Sequence, residues 1–154
     1  MGVGVGDLAP DFTISGVDRG ERGEYTLSDY RGGTVVLVFY PADNSPVCTA
    51  QLNSYNNDVG QFADLGATVF AISPQDLDKH EGFSAKQGGF NFPMFADTNK
   101  SVGEMYDIVG FLGFYRRSIF VIDADGTISY AHRSVAGVTY RPVDELLDAV
   151  KATH

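Results

Sequence analysis

The chain has 154 residues, the size of one ordinary domain, with 44% hydrophobic and 20% charged residues and no repeat or low-complexity tract. Eleven basic against twenty acidic residues give a formal charge of -9, which disfavours nucleic acid and anionic membrane surfaces as partners, and no run approaches the ~20 apolar residues that cross a bilayer. The first ten residues lack the basic head and apolar run of a signal peptide, so a cytoplasmic location is expected, and a single cysteine, Cys48, excludes an internal disulfide and any Cys-rich zinc site.

Gly2, Gly4 and Gly6 read as a flexible terminus, since no strand precedes them to present a phosphate loop. Residues 11–14 and 23–27 are short extended segments around a glycine-rich turn at 16–23, an N-terminal hairpin. Residues 34–39 form a continuous β-branched and aromatic run between Gly32-Gly33 and Pro41, the pattern of a central strand buried on both faces. A helix is expected over 45–62, with Val47, Leu52, Tyr55, Val59 and Phe62 at helical intervals, Ser45 as N-cap and Pro46 in the first turn.

Strands at 67–73 and 92–95 alternate with helices at 75–87 and 101–106, which implies βαβ units and a largely parallel sheet. Residues 117–122 and 127–132 flank Asp123-Ala124-Asp125-Gly126 as an antiparallel hairpin, a turn in preference to a calcium loop, and an amphipathic helix at 142–152 closes the chain. The order predicts one α/β domain over 1–154 of thioredoxin-like fold, a central mixed β-sheet flanked by helices with an N-terminal β-hairpin addition.

This order places Cys48 in the first turn of a helix at the carboxyl edge of the sheet, where open α/β folds hold their ligands. Unpaired N–H groups and the positive end of the helix dipole there stabilise a thiolate, the nucleophilic form. A lone cysteine is otherwise a small buried hydrophobe. Ser45, one turn earlier, can cap the helix and also reach the sulfur with its hydroxyl. Pro41, with no N–H to donate, either shields the sulfur or merely ends the strand. Arg116 and Arg117 open an otherwise apolar strand; alternation sends them to opposite faces, so one can enter a site, or both can be solvated strand-end charges.

Taken together, Pro41-x-x-x-Ser45-x-x-Cys48 and Arg117-Ser-Ile-Phe-Val-Ile-Asp123 resemble the peroxiredoxin active-site signature, P-x-x-x-T/S-x-x-C with a distant arginine. The likeness extends over Gly6-Asp-Leu-Ala-Pro-Asp-Phe12, residues 35–41, Ala71-Ile-Ser73, Phe92-Pro93 with Asp97, and residues 120–123, and is strongest to the bacterial Q-type and related one-cysteine groups. The resemblance implies Cys48 as peroxidatic cysteine, Ser45 and Arg117 as its hydrogen-bonding activators and Pro41 as its shield, with Gln51, Val47 and Tyr40 lining or supporting the substrate site. It implies no cofactor and no metal.

Three residues depart from the pattern. Ser45 replaces the commoner Thr, Gln51 stands where many members carry Glu, and Asn53 lies where many Q-type members place a resolving cysteine. Resolution is therefore expected from an external thiol, either thioredoxin, a glutaredoxin-like protein or a low-molecular-weight thiol, with the chain as monomer or homodimer. Two other readings remain: a thioredoxin-like thiol-disulfide oxidoreductase, disfavoured because Gln51 stands where that chemistry needs a second Cys, and a non-enzymatic thioredoxin-fold binding module. His80, His132 and His154 suit neither zinc nor a Cys-His pair and are expected in solvated or capping roles. Phe111, Phe114 and Tyr115 form an aromatic cluster that suits the core equally with a pocket or an oligomer surface.

Overall fold

The computed structural model describes residues 3–43, 46–110, 113–134 and 141–153. The six residues of β3 (Thr34–Phe39) are all buried, as a continuous apolar run requires, and they lie near the middle of a seven-stranded sheet. The order is β2-β1-β5-β4-β3-β6-β7, from β1 (Thr13–Asp18), β2 (Glu21–Thr26), β4 (Ala67–Ser73), β5 (Met94–Ala96), β6 (Ser118–Ile122) and β7 (Ile128–Arg133). β3, β4 and β5 run parallel, but the other four pairings are antiparallel, so the sheet is mixed, as the thioredoxin-like fold requires, and not the largely parallel one that the alternation of strands and helices implied.

Alternation along β3 divides the core. Val36, Val38 and Tyr40 face a layer built with α1 (Pro46–Asn57) and α5 (Val143–Lys151), through Cys48, Leu52, Tyr55, Leu146 and Val150. Val35, Leu37 and Phe39 face the opposite layer with Phe12, Phe70, Tyr106 and Phe120. Fully buried aromatics such as Phe39 and Phe120 each contribute on the order of 1.5–3 kcal/mol of transfer free energy. Tyr40 thus projects into the same layer as Cys48.

Three expectations change. The helix expected over 45–62 is two: α1 ends at Asn57, Asp58 leaves helical geometry (φ -111°, ψ 12°), and α2 (Val59–Asp64) restarts. The Asn56-Asn57-Asp58 run followed by Gly60 is poor helix sequence, and Asp58 spends its carboxylate on Gln61 Nε2 (2.6 Å). The N-terminal turn is only Arg19-Gly20, both at positive φ; Gly16 and Gly23 pair with each other inside the hairpin. Gly16 serves close approach, since a Cβ there would stand 2.5 Å from Phe95 Cδ1. The glycine-rich terminus is pinned too: Gly6 N–H donates to Ile128 C=O (2.9 Å) and Ala9 N–H to Gly126 C=O (2.8 Å).

Of the remaining elements, α3 (Leu77–Lys86) and α4 (Ser101–Met105) fall within the expected helices, and Leu27–Tyr30 forms a short 3-10 turn. No described helix is long and apolar enough to cross a membrane.

Candidate active site

Phe39 pairs with Ser118 across the antiparallel β3–β6 ladder. The residues just outside that pair, Tyr40 and Arg117, are therefore neighbours at the edge where α1 begins. Backbone pairing continues one residue past β3, with Tyr40 N–H donating to Ile72 C=O (3.0 Å), and stops at Pro41, which has no N–H. Cys48 is the third residue of α1, in its first turn, and no part of it reaches solvent.

Arg117 is 3% exposed, and its Nη2 lies 3.1 Å from Cys48 Sγ. Its Nη1 donates to Gln51 Oε1, one helical turn beyond the cysteine. Gln51, fully buried, donates through Nε2 to the Tyr55 hydroxyl (3.4 Å), and Tyr55 donates to Arg141 C=O (2.6 Å) just before α5. One face of α1 therefore carries Cys48, Gln51 and Tyr55, and a chain of bonds runs from the sulfur to the C-terminal helix. A delocalised cation donating to sulfur can also meet negative charge developing on an oxygen beside it.

Arg116 points away, half-buried, donating to Ser134 C=O (3.3 Å), so alternation separates the two arginines as expected. Pro41 and Val47 are both half-buried. Ser45 lies outside the described residues, as do Phe111 and His154. In the aromatic cluster, Tyr115 is core, edge-on to Phe39 with centroids 5.9 Å apart, while Phe114 is exposed. Asn53 donates to Gln87 Oε1 (2.8 Å) at the end of α3. It lines a groove of about 680 Å³ with Asn56, Gln87 and Phe90 that Cys48 does not enter.

The expectation for His80 is overturned. It is fully buried, with Nδ1 2.8 Å from Asp43 Oδ2 and Nε2 2.9 Å from Phe95 C=O. Tyr40 donates its hydroxyl to the other Asp43 oxygen (2.6 Å). Burial, with the Asp43 charge beside it, pushes the Tyr40 phenol well above its ordinary pKa, so it stays a donor. Tyr55 was legible at i+4 from Gln51; nothing local joins Asp43 to His80, 37 residues apart. Among the described residues no group of three His, Cys, Asp or Glu could hold a metal ion.

Residues 5–131 match the AhpC/TSA family model. The chain is 36% identical over 155 residues to peroxiredoxin-2 of Cricetulus griseus, covering 96% of this chain and 78% of that one. It is 35% identical over 163 residues to thioredoxin peroxidase of Echinococcus granulosus, covering 99% and 84%. The crystal structure of Enterococcus faecalis AhpC superposes with a TM-score of 0.91 at 23% identity, covering 99% of this chain and 93% of that one. A thioredoxin-fold enzyme with a cysteine at a helix start is thus the class. The chain belongs to the AhpC/TSA family, the peroxiredoxins.

Proposed function

We propose that this chain is a thiol-dependent peroxidase that reduces hydrogen peroxide and organic hydroperoxides through a sulfenic acid at Cys48, with an external thiol closing the cycle. The contact that carries the reading is Arg117 Nη2 to Cys48 Sγ at 3.1 Å, with both side chains buried. The names of relatives, peroxiredoxin-2 and thioredoxin peroxidase, point the same way and suggest a thioredoxin-type reductant.

Cys48 thiolate attacks the terminal peroxide oxygen; the S–O bond forms as the O–O bond breaks, and the leaving oxygen takes a proton and departs as water or alcohol. Arg117, the N–H groups at the start of α1 and the Ser45 hydroxyl stabilise that leaving oxygen, while Pro41 and Val47 keep water off the sulfur. Gln51 aims Arg117, and Tyr40 fixes the turn that carries Pro41. A first external thiol then attacks the sulfenic sulfur and releases water, and a second attacks the mixed disulfide, returning Cys48 and a disulfide of the donor. The 154 residues hold no second cysteine to serve as resolving group. A thiol-disulfide oxidoreductase is disfavoured because position 51 is a glutamine committed to Arg117.

The test is peroxide consumption in the presence of a thiol donor, with mass spectrometry after one equivalent of peroxide. Wild type should consume peroxide and gain one oxygen on Cys48; a Cys48→Ser variant that consumes peroxide as fast as wild type sinks the mechanism.

A further inference from the structure

We infer that His80 and Asp43 form a buried ion-pair clamp that holds Tyr40 and Asp43 in place ahead of Cys48, making His80 a positioning residue for the thiol chemistry. The clamp rests on the peroxidase reading for its purpose but on geometry alone for its existence.

The proton count follows from the acceptors. His80 Nε2 faces Phe95 C=O at 2.9 Å, an oxygen that can only accept, so Nε2 carries a hydrogen. Nδ1 faces Asp43 Oδ2 at 2.8 Å, and the other carboxylate oxygen already accepts from Tyr40 at 2.6 Å. The Tyr40 oxygen also lies 3.3 Å from Nδ1, but its one hydrogen goes to the nearer Asp43 oxygen, so the Nδ1–Oδ2 contact needs a proton of its own. Imidazole nitrogen is a stronger base than carboxylate oxygen, which places that proton on nitrogen. The pair is then an imidazolium and a carboxylate, neutral overall, with both side chains shut from solvent. An unpaired charge at such a site is strongly disfavoured.

The placement gives the pair its role. His80 sits on α3, its Nε2 grips β5, and its Nδ1 grips Asp43, three residues past Tyr40 and five before Cys48. The turn leaving β3 is thereby tied to two elements remote in sequence before α1 begins. Arg117 holds the sulfur from the far side. Removing the clamp frees Asp43, five residues before the cysteine, from α3 and β5.

Two measurements test this. In 15N-histidine-labelled wild type at neutral pH, both His80 ring nitrogens should appear protonated; one unprotonated nitrogen overturns the ion pair. Asp43→Asn, which can satisfy every bond with a neutral imidazole, should fold and show one unprotonated nitrogen. The second measurement uses Asp43→Leu/His80→Leu, which removes both charges at once and so recovers most of the stability that His80→Leu loses. A positioning role predicts that Cys48 in this folded double variant reacts with peroxide and with iodoacetamide at least tenfold more slowly than wild type. Wild-type rates in the double variant overturn the clamp. Should that variant not fold, His80→Gln, which can keep one of the two grips but not both, takes its place, with a several-fold slower rate expected and an unchanged rate overturning the inference. Alkylation and the nitrogen spectrum need no peroxide, so a wild type that fails to consume peroxide refutes the peroxidase reading and leaves the clamp separately decided.

Discussion

Arg117 reaches Cys48 across 69 positions of sequence, its Nη2 3.1 Å from the sulfur. The guanidinium is bidentate in effect, one nitrogen on Sγ and the other on Gln51, and a lysine, whose donors share one nitrogen, cannot reproduce that fork. Arg117→Met is expected to lower kcat/KM for hydrogen peroxide on the order of 100-fold, the usual loss for one donor to a developing oxyanion. Arg117→Lys should lose less. Stopped-flow oxidation of Cys48 reads both, and a methionine variant within threefold of wild type would show that the contact does not act in the chemistry.

Gln51 holds Arg117 from one side and Tyr55 from the other. Because Tyr55 already gives its hydrogen to Arg141 C=O, it can accept from an amide at position 51 but has nothing left for a carboxylate. Gln51→Leu removes the acceptor of a buried charged donor, at a cost of about 1–3 kcal/mol in unfolding free energy, and should slow peroxide reduction about tenfold. Denaturant titration and peroxide kinetics on one preparation check the pair of effects; loss of neither means that Gln51 is a bystander.

Gly103 lies inside α4, where alanine would ordinarily help a helix by roughly 1 kcal/mol. Here a Cβ would stand 2.7 Å from Tyr115 Cε1 and 3.1 Å from Ile108 Cδ1. Tyr115 is buried, donates to Asp97 and precedes Arg117 by two residues, so it has little room to yield. Overpacking should win: Gly103→Ala is expected to destabilise by about 1–3 kcal/mol and to slow the peroxidase step by moving Arg117. An increase in thermal midpoint would refute this.

Glu145 on α5 accepts from Arg141 Nε (2.8 Å) and from the Tyr130 hydroxyl, and these bonds, Arg141 first, lower its carboxyl from 4.5 to about 2. The folded state therefore releases this proton more readily than the unfolded chain. Its stabilisation is complete above about pH 4.5 and fades as pH falls towards 2, and for so exposed a pair it stays below ~1 kcal/mol. The unfolding free-energy difference between wild type and Glu145→Gln should shrink over that window. A difference that stays constant down to pH ~2 contradicts the assignment.

Periodicity and composition by themselves determined much of this protein. The buried strands β3, β4 and β6 announce themselves as continuous apolar runs, α5 as an apolar stripe, and Cys48 as a thiol just past a proline at a helix start. Arg117 was legible because a charge beginning a core strand needs a destination. These signals are local, spanning one strand or a few helical turns.

Tertiary structure decided the rest, because the partners are chosen by strand order and register. Asp43 meets His80, and Tyr55 meets Arg141, across 37 and 86 residues. Gly16, a turn residue by type, lies inside a strand because Phe95 of the neighbouring strand crowds the space its side chain would fill. Asn56 to Asp58 break a helix whose apolar spacing alone continues to Phe62. A histidine in a polar helix has the same local pattern whether it faces water or a buried carboxylate. Only the folding of α3 against β5 and the turn before Cys48 gave His80 a carboxylate to hold.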